Sequence, residues 1–427
     1  MKFGLVSLGC EKNLVDSELV LGYLKHYGHE ITNDPSNADA IIVNTCGFIA
    51  DSKKEAIETI LEMASYKKKL IVIGCLATRY KDALKKAMPE IDILITIEDY
   101  DHFGKYLSSL DESFKDTGLS FANRLISTPS FCAYLRIADG CSNNCSYCAI
   151  PLIRGKNKSR TIEDIVLEAT NLAKNGVKEV TLLAQDTTKY GLDIYNKVRI
   201  VDLLKELLKI EQLEYIRLLY LYPDEIEDEL IELIGKEKRL TPYFDIPIQH
   251  SEDNVLTKMN RRGNKQYLIN LFKKIKEKVP SAILRTTVMV GFPGETEEDF
   301  INLVEFIKQV EFDHLGCFTY SKEEDTQAYK FKNQIDEEIK KQRKDIIMKE
   351  QSRISYRKNK THIGEIMEGL ITEKKNGNYK LRSYYNAIDD VDGGIIVNSN
   401  KDLVVGQKVK VKITSAFVYD LLGEVIE

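Results

Sequence analysis

Three cysteines fall within eight positions in the run Asp139-Gly140-Cys141-Ser142-Asn143-Asn144-Cys145-Ser146-Tyr147-Cys148. No other feature constrains the fold as tightly, because one short loop must bring three thiols together and the rest of the chain must hold that loop in place. Thiolates at this spacing reach a single metal centre. A structural zinc is normally closed by four protein ligands, and the only other cysteine nearby, Cys132, precedes the strand whose far end carries the triplet. An iron-sulfur cluster held by three cysteines, with one iron left open, is the better reading. A zinc loop and three buried structural thiols remain as alternatives. The other cysteines are Cys10, Cys46, Cys75 and Cys317, and eight in 427 residues is too sparse for a disulfide framework.

At 427 residues the chain is long enough for two or three domains. From its start to about residue 110, short β-rich runs at 3–8, 40–43, 70–73 and 91–97 alternate with helical stretches at 14–27, 52–66 and 79–88. Such alternation predicts a parallel sheet covered by helices. The segment 107–130 is polar, lacks a sustained period and ends in Thr128-Pro129-Ser130, so it reads as a linker. Alternation resumes with strands expected at 134–137, 179–183, 215–220, 243–246, 282–290 and 314–319, which suits an incomplete barrel or open curved sheet. The densely charged stretch 335–359 reads as one exposed amphipathic helix. Beyond it, short strands at 364–372, 379–385, 394–397 and 408–416 are divided by Gly and Asn/Asp turns, as in a small antiparallel barrel. The fold class is thus α/β, with domains expected over 1–115, 127–357 and 360–427.

Cys10, Cys46 and Cys75 each follow an expected strand and each adjoins a glycine, as Gly9-Cys10, Cys46-Gly47 and Gly74-Cys75. In a parallel sheet all carboxyl ends lie on one edge, where ligands bind, so these thiols can converge on a second metal centre; three separate buried thiols are the alternative. Glycine beside each would relieve crowding around a bulky cluster. Cys132 and Cys317 lack this context and read as small buried hydrophobes. Of the six histidines only His250 stands after a strand, and it is assigned a structural or substrate-wall role.

A cofactor pocket should accompany the triplet. Val290-Gly291-Phe292-Pro293-Gly294-Glu295-Thr296 follows a long apolar strand, with glycines that permit close backbone approach to a ligand. The C-x3-C-x2-C spacing, with Tyr147 before the last cysteine, resembles the signature of the radical S-adenosylmethionine enzymes. That resemblance implies an open iron that binds the amino and carboxylate groups of S-adenosylmethionine, and a 5′-deoxyadenosyl radical formed by one-electron cleavage. It also makes Gly291, Gly294 and Glu295 the cofactor-contacting segment. Gln185, in Ala184-Gln185-Asp186-Thr187, occupies the corresponding end of the second strand.

With both cysteine sets considered, the whole chain resembles the methylthiotransferases, in the order N-terminal cluster domain, radical S-adenosylmethionine core and C-terminal OB-like TRAM barrel. The resemblance implies two 4Fe-4S clusters, one on Cys10, Cys46 and Cys75 and one on Cys141, Cys145 and Cys148, and S-adenosylmethionine used twice, for methylation of sulfur and for the radical. One branch modifies adenosine in transfer RNA; another modifies the β-carbon of an aspartate in the twelfth protein of the small ribosomal subunit. Ser7-Leu8-Gly9-Cys10-Glu11-Lys12-Asn13-Leu14 resembles the second, with Lys12 and Leu14 where the first typically has Cys-x-Met-Asn. Glu11 departs from the proline common in that branch. Asn44-Thr45-Cys46-Gly47, Cys148-Ala149-Ile150-Pro151-Leu152-Ile153-Arg154-Gly155 and Asp245-Ile246-Pro247-Ile248-Gln249-His250 extend the likeness.

Charge offers an independent check. The whole chain carries −5, and residues 361–427 carry 8 Lys or Arg and 10 Asp or Glu, a net −2. A net-negative barrel supplies few cations to neutralise phosphates and attracts a basic ribosomal protein. A ribosomal-protein substrate is therefore favoured over transfer RNA, with nucleic acid met only through the ribosome; a noncatalytic iron-sulfur protein docking on the ribosome is the reading from another class. The resemblance also implies an electron donor such as ferredoxin or flavodoxin and a sulfur donor. No apolar run approaches the roughly 18 residues of a spanning helix, and a cytoplasmic location without membrane partners is expected.

Overall fold

The computed structural model describes residues 1–375, 377–388 and 391–426. Asn376, Asp389, Asp390 and Glu427 of the expected C-terminal domain lie outside the described residues. Among the described residues no helix is long and apolar enough to cross a membrane.

Strands β1 (Lys2–Ser7), β2 (Glu30–Thr32), β3 (Ala40–Thr45), β4 (Lys69–Gly74) and β5 (Ile93–Ile95) form a parallel sheet in the order β2-β1-β3-β4-β5. Apart from Lys69, β3 and β4 are buried throughout, as central strands covered on both faces must be. The helix Glu11–His26 seals one face through Val20 and Leu24, and the helix Ala50–Ala64 seals the other through Ala56 and Ile60. The expected strand over 91–97 shrinks to β5, and the edge strand β2 was not foreseen: three residues give no period to read.

The segment 107–130 is not a free linker. Phe114 is buried against Phe3, Tyr23 and His29. Further on, Arg124 donates to Glu18, to Glu168 at 2.8 Å and to the Tyr134 carbonyl at 2.7 Å. The strap therefore ties the N-terminal sheet to the core through a buried cation with two carboxylates, an arrangement that is strongly destabilising to break.

The core carries β6 (Cys132–Arg136), the short antiparallel pair β7 (Ala138–Asp139) and β8 (Lys158–Ser159), then β9 (Glu179–Leu183), β10 (Tyr215–Leu218), β11 (Tyr243–Asp245), β12 (Ile283–Val290) and β13 (His314–Thr319). Two parallel ladders, β6-β9-β10 and β11-β12-β13, are joined where Ile216 N–H donates to the Arg239 carbonyl at 2.8 Å and Leu221 N–H to the Asp245 carbonyl at 2.9 Å. The result is an open six-stranded half-barrel. Side chains alternate along each strand. Leu135, Leu182, Leu218, Leu284, Val288 and Cys317 face the helix layer in one apolar core. The alternate positions, among them Arg136, Glu179, Arg217, Asp245 and Arg285, put charge on the concave side.

The helix Glu337–Thr361 was expected to expose its polar side, yet it buries Lys340, Arg343, Gln351, Ser355 and Asn359 while Ile339 and Ile346 are exposed. Gln351 donates to the Phe312 carbonyl at 2.8 Å and Lys340 to the Tyr320 carbonyl at 3.0 Å, so the inward face, which also buries Ile347 and Ile354, is partly polar because it caps backbone carbonyls. After it, β14 (Ile366–Lys375), β15 (Asn378–Ser383), β16 (Ile395–Asn398), β17 (Lys408–Ala416) and β18 (Leu421–Ile426) close a barrel in the order β14-β15-β16-β18-β17. The purely antiparallel expectation needs correction, because β16 and β18 pair in parallel and β18 is a fifth strand.

This barrel seats on the amino-terminal ends of the core strands. Glu179 at the start of β9 lies between Arg217 and Arg382, and Arg217 also donates to the Asn386 carbonyl at 2.8 Å. His314 donates to the Tyr385 carbonyl at 2.9 Å and Tyr243 to Asp392. The opposite, carboxyl-terminal mouth of the half-barrel remains for the N-terminal sheet and for chemistry, as in α/β barrels generally.

Candidate iron-sulfur and cofactor site

Cys10, Cys46 and Cys75 follow β1, β3 and β4, three adjacent strands, and so arrive at one sheet edge. A Cβ on Gly9 would lie 2.8 Å from Cys46 Cβ and 3.2 Å from its Sγ, which places the first two loops against each other. Cys75, the first residue of the helix Cys75–Arg79, donates its thiol to Asn13 Oδ1 at 3.3 Å. The neighbouring glycines are demanded by the protein's own backbone: Gly74, at φ +92, would place a Cβ 2.3 Å from Asn44 Oδ1, and Gly47 one 2.8 Å from Leu76 Cα. The crowding they relieve is thus present before any cluster is considered. Burial pushes the Cys75 thiol up to about 12 against the pull of Arg154, while Cys10 is exposed. The set has an open side.

The second set lies on the loop after β7. Cys141 N–H donates to the Gly155 carbonyl at 3.0 Å, and Ser146 is held by the Met259 and Lys258 carbonyls at 2.9 and 2.8 Å. Asn143 N–H points at Cys141 Sγ, 3.4 Å away; Arg261 Nη1 lies 3.9 Å and Tyr222 Oη 3.8 Å from Cys145 Sγ. Arg261 also donates to Tyr147 Oη at 3.4 Å and to the Pro247 carbonyl at 2.6 Å. Burial raises Cys141, and it pushes Cys148 up to about 12. An amide and a guanidinium aimed at sulfur suit bound thiolates, whose charge they offset.

Among the described residues no three His, Cys, Asp or Glu side chains are drawn in around one ion. In a four-iron cluster each cysteine bonds a different iron, so its thiolates stand farther apart than those around a single zinc. Three thiols at each of two sites are the donor set such clusters take. Two buried polar atoms near the core site lack a partner, Gln185 Oε1 and His250 Nε2. Gln185 Nε2 is already committed to Asp139 Oδ1 at 2.9 Å, which leaves its oxygen to accept from a polar ligand. His250 receives the Glu252 N–H on Nδ1 at 3.1 Å, and burial lowers its pKa to about 3.

The loop after β12 is less open than expected. Gly291 is at φ +74, where an added Cβ would meet Lys340 Cγ at 2.2 Å; at Gly294, φ +80, it would meet Lys258 Nζ at 2.9 Å. It is these lysines that exclude a side chain, not a ligand. Glu295 is buried with both oxygens engaged, by the Gly291 and Phe292 amides (the latter at 3.1 Å) and by Arg343 at 2.9 Å. Burial outweighs these partners and lifts its pKa to about 7. Its visible work is to fold the loop. Tyr147 packs in the cluster formed by Phe292, Met259 and Tyr320. Cys317 lies in the helix-side core and Cys132 at the barrel seat.

Several residues for which the sequence assigned no role tie the N-terminal domain to the core. Arg154, nearly fully buried, donates to Asn13 Oδ1 at 2.8 Å, Asp16 Oδ2 at 2.6 Å and Asp139 Oδ2 at 2.8 Å, and its Nη2 stands 3.8 Å from Cys75 Sγ. Arg136 completes a buried quartet with Asp16 and Asp139. A second latch links Lys53 and Arg79 to Glu323 at 3.0 and 2.9 Å. Lys12 crosses to the core mouth, its ammonium 3.2 Å above the centre of the Tyr220 ring.

Comparison with known proteins decides the assignment. Residues 2–96 match Uncharacterized protein family UPF0004, residues 135–307 the Radical SAM superfamily and residues 363–426 the TRAM domain. A "Ribosomal protein uS12 methylthiotransferase RimO" of Clostridioides difficile (strain 630) is 47% identical, covering 100% of this chain and 99% of that protein. One of the same name from Alkaliphilus oremlandii (strain OhILAs) is 48% identical, covering 99% of each. The chain belongs to the RimO methylthiotransferase family. It is accordingly a radical S-adenosylmethionine enzyme that uses S-adenosylmethionine and two four-iron clusters. Among solved structures, the radical S-adenosylmethionine methyltransferase TsrM from Kitasatospora setae, with cobalamin and a [4Fe-4S] cluster bound, aligns at TM-score 0.56 and 13% identity, covering 89% of this chain and 80% of that one. The cobalamin-dependent radical enzyme OxsB aligns at 0.53 and 12%, covering 82% and 56%. These two likenesses concern the fold alone.

Proposed function

We propose that this enzyme adds a methylthio group to the β-carbon of an aspartate in ribosomal protein uS12, with Cys10, Cys46 and Cys75 holding one cluster and Cys141, Cys145 and Cys148 the other. The observation that carries the reading is the interlock of the two cysteine sets through Arg154 and Gly155, which suits a reaction needing both centres at one substrate carbon. When bound, the clusters and S-adenosylmethionine supply one-electron hydrogen abstraction from an unactivated carbon and a methyl group for sulfur. The chain's own residues arrange this chemistry. Arg261 and the Asn143 amide offset thiolate charge at Cys145 and Cys141, Gln185 Oε1 accepts from the cofactor, and Tyr147 walls the pocket. Glu295 pins the Gly291 and Phe292 amides, and with them the turn through Gly294 that would border the cofactor.

The enzyme works in the cytoplasm with a low-potential electron donor of ferredoxin or flavodoxin type and a sulfur donor. To test the reading, anaerobically reconstituted enzyme is incubated with uS12 and, separately, with transfer RNA, and each is inspected by mass spectrometry. An added methylthio group on uS12 alone is expected. Modification of the RNA and not the protein overturns the substrate, and binding of uS12 without deoxyadenosine release overturns the enzyme reading.

A further inference from the structure

Lys12 is the one cation that the helix Glu11–His26 carries from the N-terminal sheet across to the core mouth, and its position is unusual for a lysine. Only 8% of its surface is exposed, yet among the described residues no carboxylate or carbonyl bonds its ammonium, which lies over the Tyr220 ring with Cys10, Glu11 and Asp245 as its attractive charged neighbours. Lysine is seldom so buried unless paired. The nearby acids are engaged elsewhere. Asp245 receives Arg285 at 2.9 Å and the Tyr220 amide at 2.9 Å, and Glu11 receives the Tyr220 hydroxyl at 3.2 Å. Tyr220 itself is held at φ +60, a left-handed backbone that a bulky residue adopts only when its surroundings fix it. A rigid aromatic platform thus presents a cation whose hydrogen-bonding capacity is unspent, two residues from Cys10 and beside Asn13, which contacts both Cys75 and Arg154.

We propose that Lys12 receives the side-chain carboxylate of the substrate aspartate. The inference rests on the substrate reading above and deepens it. In aspartate the β-carbon is bonded directly to the carboxyl carbon, so an ammonium that fixes the carboxylate also fixes, within one bond, the carbon that reacts. A neutral substrate group would leave the ammonium unpaired, which is costly in a buried site. The site therefore selects for an acid and against its amide, as a pocket built to pair a polar group rejects the analogue that lacks it. Tyr220 retains the cation when substrate is absent.

The test compares reconstituted wild-type, Lys12→Met and Lys12→Arg enzymes, using a synthetic uS12 peptide containing the target aspartate and a counterpart with asparagine there. Binding is read by fluorescence anisotropy, and iron content confirms that both clusters are loaded. Loss of a charge-assisted contact is expected to weaken binding of the aspartate peptide about 10- to 100-fold in Lys12→Met and leave the asparagine peptide no weaker, with Lys12→Arg recovering most of the loss. Equal weakening for both peptides would indicate a structural role and overturns the proposal, as does no weakening at all. If wild-type enzyme modifies the aspartate peptide and Lys12→Met still prefers acid over amide, Lys12 alone is refuted; if wild type neither binds nor modifies it, the substrate reading falls and this inference with it.

Discussion

Glu179 is the charge on which the seat of the C-terminal barrel depends, and Glu179→Gln is the sharpest probe of that seat. Its carboxylate is about 2% exposed and takes Arg217 from the neighbouring strand and Arg382 from the barrel. Burial alone would raise its pKa, but the two guanidiniums override it and hold the group at about 2, against an ordinary 4.5. A depression of that size corresponds to ~3 kcal/mol of stability, in line with the roughly 3–5 kcal/mol lost when one partner of a buried ion pair is removed. Glutamine keeps the shape and leaves two buried cations facing each other. Because a chain of several domains does not unfold as one unit, the readout is amide exchange in residues 378–383, expected to accelerate about 100-fold or more, alongside faster proteolytic release of the barrel. The sign with pH follows from the depressed pKa. The contribution is fully present above pH 4.5 and is lost as pH falls toward 2, so the difference between wild type and variant narrows in acid. Exchange unchanged within threefold at neutral pH would refute the claim that this ion triad seats the barrel.

Three further substitutions probe the rest. Cys145→Ala should remove about four of about eight irons and abolish deoxyadenosine release; a full complement of iron would disprove that ligand. Arg154→Met leaves Asp16 and Asp139 under-compensated and should loosen the N-terminal sheet from the core by ~3–5 kcal/mol, read as accelerated cleavage within the strap 107–130, whereas unchanged cleavage refutes the bridge. Gly291→Ala puts a Cβ 2.2 Å from Lys340 Cγ at a positive φ, so apo-protein thermal unfolding should shift down by a few degrees, for ~2 kcal/mol or more; an unchanged midpoint would mean that Lys340 moves aside freely.

What the sequence disclosed depended on how local the signal was. The triplet is legible because one short loop carries all three thiols, and the convergence of Cys10, Cys46 and Cys75 is legible because parallel strands deliver their carboxyl ends to one edge. Arg154 stood in a stretch noted for its resemblance, but its partners Asn13 and Asp16 lie 141 and 138 residues away, and no periodicity reports on a buried charge. The strap misleads for a related reason. Its anchors, Phe114 and Arg124, are single residues in polar surroundings, and single anchors make no pattern. In the helix Glu337–Thr361 the usual rule holds only in part, since Ile347 and Ile354 join the core while Lys340, Arg343 and Gln351 also go inward and Ile339 and Ile346 face out. The fifth strand, β18, is joined to β17 by a four-residue hairpin, but its turn Phe417-Val418-Tyr419-Asp420 holds no glycine or proline to mark it, and its parallel pairing with β16 reaches back more than twenty residues.

The two thiol sets belong to domains that fold around separate cores, so contact between those cores does not by itself fix the distance between the sets. One dipeptide does. The side chain of Arg154 reaches Asn13, Asp16 and the neighbourhood of Cys75, while the next carbonyl, that of Gly155, accepts the amide of Cys141. Moving the N-terminal sheet by one ångström would strain the Arg154 bonds to Asn13 and Asp16, two charge-assisted bonds in a buried setting, each worth about 1.5–3 kcal/mol. Sliding is therefore opposed by more energy than thermal motion provides. A reaction that takes hydrogen at one centre and delivers sulfur from another suits a fixed separation, and Arg154, at the end of the helix Ile150–Arg154, holds it together with the Arg136–Asp16, Arg124–Glu18 and Lys53/Arg79–Glu323 pairs.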